Sequence, residues 1–204
     1  MSGGGRLIAV EGPIGVGKTT LARRLADSLG GTLLLEQAEA NPFLERFYRQ
    51  PREAALSTQL HFLLQRAEQM RGLAQSDLFD SVRITDFVME KDRLFAEVNL
   101  DADEFALYCQ VYDHLVVEGP RPDLVIYLQA PVKVLQERID RRGIDYERHM
   151  GAGYLQALCD AYTRFFHEYD AAPLLIVNAT EINLAENEAD YAELLEQIRR
   201  TRSG

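Results

Sequence analysis

The chain has 204 residues, a formal net charge of −10 and a pI near 4.9. With 47% hydrophobic and 26% charged residues, its composition is that of a globular protein with a full core. The acidic balance excludes non-specific binding to nucleic acid or to an anionic membrane, so an anionic ligand has to be held by a local basic cluster.

The opening "MSGGG" reads as a disordered start, with no apolar run of signal-peptide length. "RLIAV" (6–10) predicts a buried strand, and Lys18 to Leu29 a helix stopped by Gly30-Gly31. A second strand is expected at 32–36. A short helix is expected at 41–48, with Asn41 as N-cap and Pro42 in its first position. Residues 53–75 carry apolar positions at helical spacing, and "SVRITDF" (81–87) contains a third strand. "FALYCQVYDHLVV" (105–117) reads as helix, 123–129 as a strongly apolar strand, and Pro131 opens a helix to Arg141. A helix over 153–169, a strand over 173–179 and a helix over 187–202 complete the series. Cys109 and Cys159 fall in predicted helices and read as small buried apolar residues. No segment approaches the length and apolarity of a membrane span, and a reducing cytoplasm is the expected location.

Near-continuous apolar strands alternating with helices predict an α/β fold. The expectation is a five-stranded parallel sheet with helices on both faces, in a single domain over 1–204. Ligands of such sheets sit beyond the carboxyl ends of the strands. That directs attention to residues 11–19, 36–37, 86–87, the 138–149 turn and the loop after 178.

The first of these contains Gly12, Gly15, Gly17, Lys18, Thr19 and Thr20 in "GPIGVGKTT". It fits G-x-x-x-x-G-K-[ST] after a strand and before a helix, the context a phosphate-binding loop needs. The glycines let backbone N–H groups turn toward phosphates, and the helix N-terminus adds positive potential. Lys18 reaches the outer phosphates of ATP, and the Thr19 hydroxyl can ligate Mg²⁺. Glu36, at the end of the second strand, is placed to act as a general base, although solvated glutamates are also common there. Asp86 ends the third strand and is a second candidate anchor for Mg²⁺, or a cap for the helix that follows. "ERIDRRGIDYERH" (137–149) is the densest basic segment, with Arg138, Arg141, Arg142 and Arg148 around Gly143. It suits an Arg-rich lid over transferring phosphate, or else a solvated helix end.

The order of the P-loop, "LLEQAEANPFLERFY", "TQLHFLLQR", "TDFVMEKDRLFA", "PDLVIYLQAP" and "RIDRRGIDYE" resembles the deoxynucleoside kinases over residues 6 to 180. The closest likeness is to the bacterial deoxyadenosine/deoxyguanosine kinase-like branch. The resemblance implies a P-loop kinase fold and phosphorylation of a deoxynucleoside 5′-hydroxyl by ATP with Mg²⁺. It implies Glu36 as the base, with Tyr48 and Glu147 on the 3′-hydroxyl. Gln59, Arg66 and Asp92 fall at base-reading positions, Phe62 and Phe87 against the base, and Arg138 and Arg142 in the lid. "NATEIN" (178–183) resembles the segment that wraps the adenine of ATP, and the family implies a homodimer.

Two positions depart from the family pattern. Phe87 and Ile144 stand where arginines are usual. Lys91 is a candidate to replace the first charge, and Arg141 or Arg148 the second. Two other readings share the P-loop: a nucleoside monophosphate kinase such as a thymidylate kinase, and a nucleotide-binding protein of weak or no kinase activity. Glu36, Tyr48 and Glu147 favour a hydroxyl acceptor over a phosphate.

Overall fold

The computed structural model describes residues 6–75, 82–115, 119–180 and 187–201. Residues 1–5, part of the expected adenine-wrapping segment and the end of the 105–117 helix lie outside them. The strands are β1 (Arg6–Glu11), β2 (Thr32–Leu34), β3 (Val82–Thr85), β4 (Leu124–Gln129) and β5 (Leu174–Asn178). They form one sheet of order β2-β3-β1-β4-β5, and every neighbouring pair is parallel. The helices are α1 (Lys18–Leu29), α2 (Leu44–Arg49), α3 (Pro51–Gln75), α4 (Lys91–Asn99), α5 (Ala102–Leu115), α6 (Val132–Arg142), α7 (Ala152–His167) and α8 (Glu188–Arg200).

The two-residue period of the central strands explains why helices cover both faces. Ile8 and Val10 of β1, with Leu124, Ile126 and Leu128 of β4, pack against Leu21, Leu25, Leu135, Leu194 and Ile198. Ala9, Val125 and Tyr127 point the other way, onto Leu94 of α4 and Leu158, Tyr162 and Phe166 of α7. Among the described residues, no helix is long and apolar enough to cross a membrane.

Several expectations shift. The strand expected over 32–36 pairs with β3 only from Thr32 to Leu34. By Glu36 the backbone N–H donates to the Asp86 carboxylate instead, at 2.7 Å. The helix expected over 41–48 starts at Leu44 with Phe43 at its N-cap. Asn41 forms a turn ahead of it, accepting from the Phe43 N–H at 3.0 Å, while its amide donates to the Thr58 carbonyl at 3.1 Å. Pro131 is the N-cap of α6 rather than a residue within it. The helix expected after Asp86, given no bounds from the sequence, is α4, and Glu90 rather than Asp86 is its N-cap. Short 3-10 turns at Ala38–Ala40 and Asp145–His149 were also not expected.

Candidate active site

The carboxyl ends of β1, β2 and β3 bring Gly12, Glu36 and Asp86 to one side of the sheet. There a cavity of about 930 Å³ opens, large enough for a nucleoside and phosphates. On its donor side, the phosphate loop turns with Gly12 at φ 146° and Gly15 at φ 83°. A Cβ on Gly12 would collide with the Leu128 carbonyl oxygen, and one on Gly15 would lie 2.9 Å from that of Leu135. Lys18 begins α1, and its ammonium donates to the carbonyls of Gly12 at 2.7 Å and Pro13 at 3.2 Å. Burial and the neighbouring Lys91 charge lower its pKa to about 8, against the pull of Glu11, Glu36 and Asp86.

Asp86 joins the two halves of the site. One of its oxygens accepts from the Thr19 hydroxyl at 2.6 Å, and the other from the Glu36 N–H at 2.7 Å. Thr19 and Asp86 supply hard oxygen donors of the kind Mg²⁺ prefers. Among the described residues, no group of three His, Cys, Asp or Glu side chains forms a metal cage. Bound phosphate and water would therefore complete the shell of a metal held here.

The floor is an ionic chain. Glu36 accepts from Lys91 at 2.8 Å and from Arg66; Arg66 also donates to Asp92, whose second oxygen accepts from the Tyr108 hydroxyl. Burial alone would raise the Glu36 pKa, but Arg66 and Lys91 outweigh it and hold the carboxyl well below the usual range. Burial pushes the Asp92 carboxyl up, and Arg66 and Tyr108 only partly reverse this. Beside the chain, Phe62 lies under the Arg66 guanidinium, 5.0 Å from ring centre to Cζ. Gln59 is buried, and its Oε1 has no hydrogen-bond partner among the described residues. An acceptor left unmatched on a cavity wall suits a donor on a ligand.

The opposite wall is the Arg-rich turn. α6 ends at Arg142 with Gly143 at φ 72°, a left-handed cap. The Arg142 guanidinium grips the Glu147 carboxylate, with contacts of 2.6 and 2.7 Å from Nη2 and 3.1 Å from Nε. The Tyr48 ring stacks on Tyr146, 5.7 Å between centres. Burial, Tyr154 and Glu147 keep the Tyr48 hydroxyl protonated far above its ordinary pKa.

Of the residues singled out in the sequence, Gly15, Lys18, Thr19, Thr20, Glu36, Tyr48, Gln59, Phe62, Arg66, Asp86, Arg142 and Glu147 line the cavity. The others do not. Gly12 and Gly17 shape the loop through positive φ angles of 146° and 105°. Asp92 is fully buried behind Arg66, so it orients the guanidinium rather than facing the cavity. Phe87 is packed into the interior. Arg138 donates away from the cavity, to the carbonyls of Val16 at 3.2 Å and Ala179 at 2.7 Å, tying the phosphate loop to the end of β5. Ile144 faces the cavity, whereas Arg148 pairs with Asp145 on the surface at 3.5 Å.

Neither Tyr108 as a partner of Asp92 nor the role of Glu11 is visible in the sequence. The Glu11 carboxylate is fully buried and accepts from the N–H groups of Gly12 and Val88, each at 2.9 Å, and from the Tyr162 hydroxyl at 3.0 Å. An acid closing an otherwise apolar strand was the one available signal.

The deoxynucleoside kinase family model matches residues 8–202. A deoxyguanosine kinase of Bacillus subtilis (strain 168) is 29% identical, over 94% of this chain and 95% of that protein. A deoxyadenosine kinase of Dictyostelium discoideum is 31% identical, over 87% of this chain and 74% of that protein. The solved structure of a deoxyadenosine kinase from M. mycoides with bound dATP superposes with a TM-score of 0.83 at 26% identity, covering 95% of this chain and 99% of that one. With the phosphate loop, the acid at the end of β2 and the basic turn after β4 in one cavity, the chain belongs to the deoxynucleoside kinase family.

Proposed function

We propose that this chain transfers the γ-phosphoryl group of ATP to the 5′-hydroxyl of deoxyadenosine or deoxyguanosine, with deoxycytidine a weaker acceptor. The observation that carries the reading is the position of Glu36. Its carboxylate is ionised by Arg66 and Lys91, and its backbone is tied through Asp86 to Thr19 of the phosphate loop. A proton acceptor thus stands one carboxylate away from the phosphate cradle.

Glu36 takes the proton of the 5′-hydroxyl as that oxygen attacks the γ-phosphorus. The bond to the bridging oxygen breaks, and its electrons pass to the β-phosphate of ADP. Lys18 and Arg142 neutralise the charge on the transferring group. Thr19 and Asp86 would hold Mg²⁺, which supplies further neutralisation of the β- and γ-phosphates. Tyr48 and Glu147 hold the 3′-hydroxyl, and Gln59 and Arg66 read polar base edges over Phe62. Both outer nitrogens of Arg66 are engaged by carboxylates, which disfavours a monophosphate acceptor held by Arg66. The same reading takes the chain as one cytoplasmic kinase domain that works as a homodimer. The exposed Leu64 and Leu107 of the adjacent helices α3 and α5 support that assembly. Sedimentation tests it directly.

ATP and Mg²⁺ are incubated with each of the four deoxynucleosides and with dTMP. Deoxyadenosine or deoxyguanosine is expected to give the most monophosphate. Diphosphate from dTMP alone contradicts the assignment.

A further inference from the structure

Lys91 is the first residue of α4, only 3% exposed, and its side chain reaches the cavity wall between Glu36 and the phosphate loop. An ammonium has three N–H donors. Among the described residues, this one makes a single side-chain hydrogen bond, to Glu36 Oε2 at 2.8 Å, and stands 5.6 Å from the Phe95 ring centre. Arg66, the other cation on Glu36, is held at both ends by carboxylates and is fixed. Lys18, the cation of the phosphate loop, is close enough for Lys91 to repel its charge. Two ammonium groups therefore flank the place where the Glu36 carboxylate and the phosphate loop approach each other. Burial and Arg66 act to lower the Lys91 pKa, but Glu36 and the nearby Glu11 outweigh them and raise it, so the ammonium stays charged with N–H donors to spare for an entering anion.

We propose that Lys91 is a catalytic residue of the phosphoryl transfer, donating to the oxygens of the group in flight between the ATP terminus and the acceptor hydroxyl. The proposal rests on the function assigned above. When the acceptor hydroxyl occupies Glu36, Lys91 keeps its hold on that carboxylate and turns a free N–H toward the transferring phosphoryl group. The proton still goes to Glu36, and the electrons of the broken bond still go to ADP. Lys91 changes neither bonding nor protonation; it supplies charge where charge develops.

The test compares the wild-type chain with Lys91→Met and Lys91→Arg, using ATP, Mg²⁺ and whichever deoxynucleoside the wild type phosphorylates fastest. Circular dichroism and thermal melting establish that the variants are folded. Single-turnover transfer by Lys91→Met should fall about 100- to 1,000-fold, the usual cost of one lost donor to transition-state charge. Lys91→Arg, which keeps the charge, should recover a large part of the rate. In parallel, calorimetry measures binding of ADP with and without aluminium fluoride in the presence of the deoxynucleoside. Lys91→Met should lose the extra affinity conferred by the fluoride, which mimics the phosphoryl group in flight, and bind ADP and ATP as the wild type does. Transfer at the wild-type rate, or an undiminished fluoride effect, overturns the proposal and leaves Lys91 as a neutralising partner of Glu36. Equal loss of ground-state ATP or deoxynucleoside affinity and of transfer also overturns it. No monophosphate from the wild type with any deoxynucleoside overturns the assigned function, and this proposal with it.

Discussion

Two arginine–carboxylate pairs line the same cavity and differ in their freedom. Arg66, on the floor, has a side chain 3% exposed and is clamped between Glu36 and Asp92, themselves 14% and 0% exposed. Arg142, on the lid wall, is 45% exposed and has one carboxylate partner, Glu147. The floor joins α3, α4 and the segment after β2, and each removed partner leaves a buried charge behind. The lid pair spans the left-handed Gly143 at the end of α6; solvent reaches the Arg142 guanidinium, while its partner Glu147 is only 9% exposed. The difference separates two jobs. Under the proposed function, the floor would hold the nucleobase and the Glu36 carboxylate in one geometry, whereas the half-exposed lid arginine would exchange Glu147 for phosphate oxygens at a smaller cost to the fold.

Variants can break this contrast. Glu36→Gln should lower turnover about 10²- to 10⁴-fold, the span ascribed to a general base, while calorimetry finds ATP still bound. Turnover near the wild-type rate would remove Glu36 as the proton acceptor. Asp92→Ala should lower unfolding stability by about 3–5 kcal/mol in denaturant titrations, because Arg66 keeps its charge and loses half of its pairing. A loss under about 1 kcal/mol would mean that the floor is as adaptable as the lid.

Arg142→Ala sharpens the contrast from the other side. Its unfolding free energy should fall by about 1–2 kcal/mol, because Glu147 is left buried without its partner while Arg142 itself was half-exposed, and single-turnover transfer should fall about 100-fold. Destabilisation as large as that of Asp92→Ala would erase the distinction. The smallest effect concerns Lys18, lowered to about 8 by burial and Lys91. Triphosphate favours the charged ammonium. Above about pH 8, binding must take up a proton, and ATP affinity should fall as pH rises, by at most about tenfold per unit. Titration calorimetry from about pH 7 to 9 measures the slope. Lys18→Met should flatten it.

How much of this was legible in the sequence depends on how local each feature is. The phosphate loop is fixed by glycine conformations within nine residues, so Gly12 to Thr20 were readable without any knowledge of the fold. The sheet was readable because β1 and β4 are apolar on both faces. The acceptor half was different. Glu36, Arg66, Asp92 and Tyr108 come from four separate elements, and nothing in their spacing shows that they form one chain of hydrogen bonds. Resemblance placed most of these residues, but only packing revealed that Arg66 grips Glu36 as well as Asp92. Arg138 shows the same limit: its position on a basic helix fits a lid, but only the fold shows its guanidinium on the carbonyls of Val16 and Ala179. The bounds of the short helix α4 were not readable because its buried stripe includes Lys91 and Asp92, two charged residues that conceal the apolar period.

The central claim is that one cavity brings the acceptor hydroxyl to Glu36 and the triphosphate to Lys18. A crystal structure with deoxyadenosine and a non-hydrolysable ATP analogue tests it most directly. The 5′-oxygen is expected within about 3 Å of the Glu36 carboxylate, the distance a general base requires, with the base edge on Gln59 and the terminal phosphate against Lys18. A nucleoside bound with its 5′-oxygen turned away from Glu36 would contradict it.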